Sequence, residues 1–514
     1  MFNNFKRFTS SYNSFDDSTS QSGDEANGTP MKRRTGKDGG SDNEDDVNYY
    51  TVDNAVEKIG FGSFQMRIMA VVGIFSAADA LEMLLLSVLS PILQCEWRLA
   101  GWQVALITTV VFTGMFIMAP VWGSWCDKYG RWPIILLSSI WIFYAGILTS
   151  FSPSLGWVYF LRAMVGVGIV GGSFSFTFFT EYLPFKWRAK VLTIYQVYWA
   201  LGSVFEVLLA SVVVPSLGWR WLVALSSMPL IIACFLICFC IPESARYLVA
   251  AGRKREAVQV LEQAARLNKT TLPEGQLIEE KQHGRGSIKD LFSKDYWLTT
   301  LLLVVIWFAS AFSYYGMVLG SSEIEKFQPG HCRTPPSPNK IIGNHTISKY
   351  SCHWNCHPLT HDDYMTMIIS AMGEFLAIPV NFFLLDLIGR KKSMALNCLG
   401  AGIGFLLLQI CTTRGILTGI SLGIRAFCTG MFLSVYIYTT EVYPTTVRSL
   451  GLGFNSAMAR IGAMVTPFVS QVLLSQFPTG TVYVYGGVCS VCAVVSLLLP
   501  IETKGREMPQ TVHR

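Results

Sequence analysis

Long stretches without a single charge constrain this chain more than any other feature. Leu99 to Cys126, Trp132 to Leu161, Tyr296 to Ser322 and Ile461 to Ile501 contain no Asp, Glu, Lys or Arg. A helix of about 20 apolar residues crosses the hydrocarbon core of a bilayer. Inside lipid the backbone must satisfy its own hydrogen bonds, which leaves helices and closed barrels. These runs therefore read as membrane-spanning helices. Charged residues make up only 14% of the chain, against roughly 25% in soluble domains. No cleavable signal peptide is visible, and the first apolar helix is expected near Ile68.

The hydropathy pattern predicts twelve spans, at 68–93, 104–125, 132–151, 157–179, 190–213, 221–241, 297–319, 364–385, 393–412, 417–439, 451–474 and 481–501. Basic residues cluster in alternate connections: Lys128 and Arg131; Lys186, Arg188 and Lys190; Arg390, Lys391 and Lys392; Lys504 and Arg506. Cytosolic loops concentrate Lys and Arg, so these loops and both termini are expected in the cytosol. The net charge of +6 is used up in setting orientation and gives no reason to expect nucleic acid. The expected organisation is a disordered cytosolic tail (1–62), a first six-helix bundle (63–248), a charged linker (249–296), a second bundle (297–505) and a short tail (506–514). Residues 1–50 hold six Lys/Arg against nine Asp/Glu and many Ser, Asn and Gly, a composition that cannot bury a core. Such a tail suits regulation or contact with vesicle sorting proteins, or is simply solvated.

Segment 320–361 falls on the opposite, lumenal side. It carries the glycosylation sequon at Asn344. Asn27 and Asn268 also begin sequons, but their cytosolic placement argues against modification. Cys332, Cys352 and Cys356 share this face with Cys95, and disulfides are the plainer reading. The register of Cys352-His353, Cys356-His357 and His361 could also hold a metal or sense pH. The remaining cysteines lie mostly within apolar segments and read as small packing residues.

The two halves repeat each other. Asp127 with Gly130 and Arg131 recurs as Asp386 with Gly389 and Arg390, the aspartates 259 positions apart. Thr180-Glu181 with Pro184 and Arg188 recurs as Thr440-Glu441 with Pro444 and Arg448, at 260 positions. Pro242-Glu243-Ser244 pairs with Ile501-Glu502-Thr503 at a similar offset. A single offset shared by three motifs implies a duplicated six-helix unit, the halves related by an axis along the membrane normal. Asp127, Arg131, Glu181, Arg188, Asp386, Arg390, Glu441 and Arg448 are candidates for cytosolic gating, as half-exposed ion pairs weak enough to break. On this reading they latch the bundles in one state and release them in another. The plainer alternative is that they are fixed topology charges.

Gly123, Asp127, Lys128, Gly130 and Arg131 resemble the signature loop of the major facilitator superfamily. Glu181/Pro184/Arg188, Pro242-Glu243-Ser244-Ala245-Arg246 and Glu502-Thr503-Lys504-Gly505 are similar to its sugar-porter and organic-ion-transporter branch. Ala55 to Gly62, Ala78-Asp79-Ala80-Leu81-Glu82-Met83, Cys95 to Leu99, Pro215 to Trp221, Phe312 to Gly316 and Pro500 to Arg506 narrow the match to vesicle members of that branch. The resemblance runs from about residue 53 to 507. It implies an all-α polytopic protein with the major facilitator fold, two pseudo-symmetric six-helix bundles, transporter-like, on neuronal or endocrine vesicles. It supplies no substrate.

Ionisable residues inside spans are costly and usually functional. Asp79 and Glu82, three apart, share one helix face. Two neighbouring carboxylates in low dielectric resist joint ionisation, which suits a proton or cation site. Arg162, Arg425 and Arg460 could pair with them, and Glu206 and Glu374 add two more acids. These seven residues are the candidate substrate or proton site. Ala459-Arg460-Ile461-Gly462 followed by Thr466-Pro467-Phe468 resembles the eleventh-span motif of organic ion carriers, where anion carriers tend to have Arg. That implies an organic anion or zwitterion, unless Arg460 merely neutralises an acid. Aromatics such as Tyr195, Trp199, Tyr314, Tyr315 and Tyr436 could stack on a flat ligand, though packing explains any one of them. No nucleotide-binding loop of the GxxxxGK kind appears, and no nucleophile–base or metal constellation lies in the spans. The expectation is secondary transport without a cofactor. The competing reading is a receptor or regulatory scaffold that keeps the transporter fold.

Overall fold

The computed structural model describes residues 49–278, 288–324, 359–410, 412–444 and 447–504. Asn344, Cys332, Cys352, Cys356 and the terminal tails lie outside them. The helices belong to one compact unit, Tyr50–Pro273 with Leu277–Arg514; the other unit, Met1–Tyr49 with Glu274–Gln276, is described only at Tyr49 and 274–276. Two-residue strands, Tyr49–Tyr50 and Gln276–Leu277, are the only strands among the described residues.

Eleven helices are long and apolar enough to cross a membrane: Ser63–Trp97, Gly101–Tyr129, Arg131–Ser150, Leu155–Glu181, Phe185–Leu217, Trp219–Cys240, Trp297–Ser321, His361–Ile388, Arg414–Val442, Leu450–Gln476 and Pro478–Leu498. The ninth predicted span is the helix Arg390–Leu407. Its Arg390-Lys391-Lys392 start dilutes its hydropathy, yet it packs between its neighbours, with Gly404 against Ile424 and Gly402 against Cys489. With it the count is twelve, in two halves of six.

Several helices overrun the predicted limits. The first span begins at Ser63 and runs for 35 residues, about 52 Å at 1.5 Å per residue, so it projects beyond a hydrocarbon core of about 30 Å. The segment read as a polar tail also ends in structure: Val52–Ile59 is an amphipathic helix burying Val52, Ala55, Val56 and Ile59. Glu57 Oε2 accepts from Phe185 N (2.9 Å) at the head of the fifth span, and Asp53 pairs with Arg246. Asn268 secures the next turn, accepting from Phe64 N (2.9 Å) and donating to Gln65 Oε1 (2.8 Å).

Close crossings repeat with the sequence. A Cβ on Gly114 would meet Ala163 O at 2.3 Å, and one on Gly373 would meet Leu422 O at 2.3 Å. The same holds for Gly202 against Ala77 O (2.2 Å) and Gly462 against Phe308 O (2.5 Å). Small residues let membrane helices approach this closely. Gly114 and Gly373 are 259 positions apart, and Gly202 and Gly462 are 260, so the duplication reaches the packing of helix on helix. The first and seventh spans are the most enclosed, 83% and 67% of their central windows being buried against 39–56% elsewhere. They form the middle of the molecule, and the others turn apolar side chains such as Ile117, Phe239, Leu387 and Val494 outward.

Candidate functional site

Among the described residues the seven intramembrane candidates sort into two ion pairs, one acid held by a serine hydroxyl, and two groups with neither. In the first half, Arg162 Nη1 lies 2.9 Å from Glu82 Oε2, both side chains fully buried. Ser227 Oγ donates to the other Glu82 oxygen at 3.1 Å. Ser226 Oγ lies 2.8 and 3.0 Å from the two oxygens of buried Glu206. In the second half, Arg425 Nη2 sits 2.8 Å and Nε 2.9 Å from Glu374 Oε1, which also accepts from the Tyr314 hydroxyl at 2.7 Å. Trp199 Nε1, from the first half, donates to the Tyr314 oxygen at 2.9 Å. One polar chain thus runs Trp199–Tyr314–Glu374–Arg425 across the boundary between the halves. Unpaired charge in low dielectric costs several kcal/mol per ion, which explains why four of the seven are matched.

Asp79 and Arg460 are not matched. Asp79 is 8% exposed and its Oδ1 has no hydrogen-bond partner. Its Oδ2 is close to where a side chain on Gly172 would begin. No carboxylate among the described residues pairs with Arg460, and neither arginine of the two closed pairs reaches Asp79. Arg162 engages Glu82 and not Asp79, while Glu82 stays within electrostatic reach of Asp79.

The gating candidates lie at the basic end of the bundles, built twice. Gly130 has φ 103° and Gly389 φ 88°. After Gly130 the third span starts, and Glu243 Oε1 accepts from Arg131 N (3.0 Å), Trp132 N (3.2 Å) and Ser244 N (2.8 Å). A carboxylate at a helix N-terminus meets unpaired N–H groups and the positive end of the dipole. Arg131 Nε reaches Glu181 Oε1 at 3.3 Å, and Ser244 Oγ also bonds Glu181. In the second half Glu502 accepts from Arg390 N (3.0 Å) and Lys391 N (3.2 Å). Arg390 grips both Glu441 oxygens at 3.0 and 2.9 Å, and Thr503 Oγ1 donates to Glu441 at 2.6 Å. Burial pushes the Glu243 carboxyl above its ordinary range, against the pull of those N–H groups and Arg131.

Both partners of each pair belong to the same half, so these pairs do not join one bundle to the other. In the state seen here they tie helices together within one half. Asp127 is a marginal partner of Arg131 at 3.9 Å, and Asp386 is exposed with no ion pair among the described residues. Arg188 and Arg448 each donate to a carbonyl five residues back, Leu183 and Tyr443, at 3.3 Å. The boundary is crossed here by like charges. Burial, with Arg188 and Arg246 of the first half close by, pushes the Arg448 guanidinium down to about 10.

Sequence reasoning missed Ser226 and Ser227 as partners of the buried acids. Their signal was a polar pair beside Pro229 in an apolar span, at the break between helices Trp219–Ser226 and Met228–Cys240. It also treated Trp199 and Tyr314 as two aromatics among many. Cys95 is disulfide-bonded.

Twelve helices in two related halves, with ion pairs held within each half and a thin polar contact between the halves, define a membrane transporter architecture. A "Sugar (and other) transporter" family model matches residues 49–323, and a "Major Facilitator Superfamily" model matches residues 360–513. The "Synaptic vesicle 2-related protein" of Xenopus laevis is 46% identical over 90% of this chain and 83% of its own. The human protein named "Putative transporter SVOPL" is 42% identical over 90% of this chain and 93% of its own. The xylose transporter XylE from E. coli, in an inward open conformation, superposes with a TM-score of 0.63 at 15% identity, covering 86% of this chain and 98% of that one. This chain belongs to the major facilitator superfamily, a family of transporters and not of enzymes.

Proposed function

We propose that this protein is an ion-coupled secondary transporter of a small organic ion, working by alternating access in a vesicle membrane with the basic face and both termini in the cytosol. One observation carries the reading: Glu82 and Glu374 each hold an arginine of their own half, while buried Asp79 has no ionic partner among the described residues and keeps Oδ1 without a hydrogen bond in the most enclosed span. Two rigid bodies that share few polar contacts can rock about a central site, and a free buried carboxylate is where substrate or coupling ion engages. The vesicle placement is supported by the names of the relatives. The arginine at the eleventh-span position favours an organic anion or zwitterion over a simple cation. The N-terminal tail is proposed as the segment that sorting partners would read.

The test is reconstitution of the purified protein into proteoliposomes, with uptake of candidate organic ions followed under an imposed pH gradient. Gradient-driven uptake in the wild type that disappears in Asp79→Asn is the expected outcome. Ligand binding without uptake of any ligand bound would replace transport by the scaffold reading.

A further inference from the structure

Charge balance narrows the substrate, on the reading of Asp79 as part of the substrate site. Glu82 is neutralised by Arg162, Glu374 by Arg425, and Glu206 is engaged by Ser226. Of the seven intramembrane candidates, the two with neither an ion pair nor a serine partner among the described residues are a carboxylate on the first half, Asp79, and a guanidinium on the second, Arg460, not bonded to each other. Asp79 is nine-tenths buried with an oxygen free.

The two are linked by aromatic residues at the boundary. The Tyr315 hydroxyl lies within electrostatic reach of both Arg460 and Asp79. Its ring meets Phe112 of the first half edge-on at 4.7 Å. Tyr436, also within reach of Arg460, meets Phe176 of the first half at 5.1 Å. Tyr195, within reach of Asp79, meets Phe176 from the other side at 5.5 Å. An acid and a base therefore flank an aromatic seam where the halves touch. A purely anionic ligand would answer Arg460 and leave Asp79 facing a like charge; a purely cationic one would do the reverse. A ligand carrying both charges answers both, and its apolar body fits the rings.

We infer that the substrate is amphoteric, a small molecule with an ammonium group that meets Asp79 and a carboxylate that meets Arg460, bridging the two halves. Bridging also gives the transport cycle its logic. Such a ligand holds the halves together at the centre, whereas either charge alone holds to one half.

The probes are para-(aminomethyl)benzoate and the ω-aminocarboxylates from β-alanine to ε-aminocaproate, each beside its singly charged analogues, para-toluate and para-methylbenzylammonium among them. A ligand that binds the native state raises its melting midpoint, so thermal shift of the purified protein gives apparent affinities. At least one amphoteric member should bind tenfold or more tightly than either of its analogues. Asp79→Asn should then weaken the amphoteric ligand about tenfold and leave the carboxylate analogue bound at least as tightly, since it loses a like charge; Arg460→Gln should weaken it similarly and leave the ammonium analogue bound at least as tightly. The retained analogue is each variant's proof of folding. If only singly charged members bind the wild type, or no member does, the assignment is overturned without recourse to any variant. The same compounds in proteoliposomes separate the two readings. Amphoteric binding without uptake removes transport but keeps this ligand class. Uptake of para-toluate that is insensitive to Asp79→Asn keeps transport and removes the amphoteric ligand.

Discussion

At the scale of single residues the buried pair of Glu82 and Arg162 sets the balance of the first half. Both side chains are fully enclosed, so neither can turn to solvent when the other is removed. Deleting one member of such a pair costs about 3–5 kcal/mol, whereas replacing both by apolar groups of similar volume is often neutral. Glu82→Met and Arg162→Met should each lower the melting midpoint of the purified protein sharply. The double variant Glu82→Met/Arg162→Met should recover much of the loss. Additive losses in that cycle would show that the two side chains act through separate partners, Ser227 for Glu82 and the surrounding helices for Arg162.

At the scale of elements the twice-built junction after Gly130 and Gly389 is where duplication becomes mechanics. Gly130 (φ 103°, ψ 170°) and Gly218 (φ 83°, ψ 175°) share a backbone region that side chains avoid, at about 1–3 kcal/mol per residue forced into it. They differ in surroundings. A Cβ on Gly218 meets nothing within 4 Å, but one on Gly130 would lie 2.3 Å from Glu243 Oε2, and Glu243 is pinned by three backbone N–H groups. Gly130→Ala should therefore destabilise by about 1 kcal/mol or more beyond Gly218→Ala in thermal melts, since overpacking adds about 1–3 kcal/mol to backbone strain. These junctions were legible in the sequence because they depend on residue types that substitute poorly, a glycine with positive φ and paired Glu and Arg. Charge-free runs made the spans legible for the same kind of reason. The direction of the ion pairs was not legible: a repeat shows that Arg131 and Arg390 have equivalent roles, but not whether each points into its own half. Nor was the division of the acids, because choosing Arg162 for Glu82 over Asp79 turns on side-chain reach within packed helices.

At the scale of the whole molecule the question is what holds the halves in register. At the basic end Arg448 lies within electrostatic reach of Arg188 and Arg246 of the other half, a repulsion that works against closure there. Near the middle the Trp199–Tyr314 hydrogen bond, 2.9 Å long, joins the fifth span to the seventh and continues into Glu374 and Arg425. Nearer the other end Thr109 Oγ1 donates to Met464 O at 3.2 Å, joining the second span to the eleventh. The state seen here is thus favoured by neutral hydrogen bonds and resisted by like charge. A neutral hydrogen bond contributes about 1 kcal/mol net, which corresponds to roughly a fivefold change in a two-state population. Trp199→Phe keeps the ring and removes the N–H, leaving the Tyr314–Glu374 contact in place. It should move the population by about that factor toward the state in which the fifth and seventh spans are apart. Distances between spin labels on opposite halves, at Ser216 and Ser475, report that ratio directly. A variant with the wild-type distance distribution would mean that Trp199 and Tyr314 stay together through the cycle, and that the halves turn about this contact instead of parting at it.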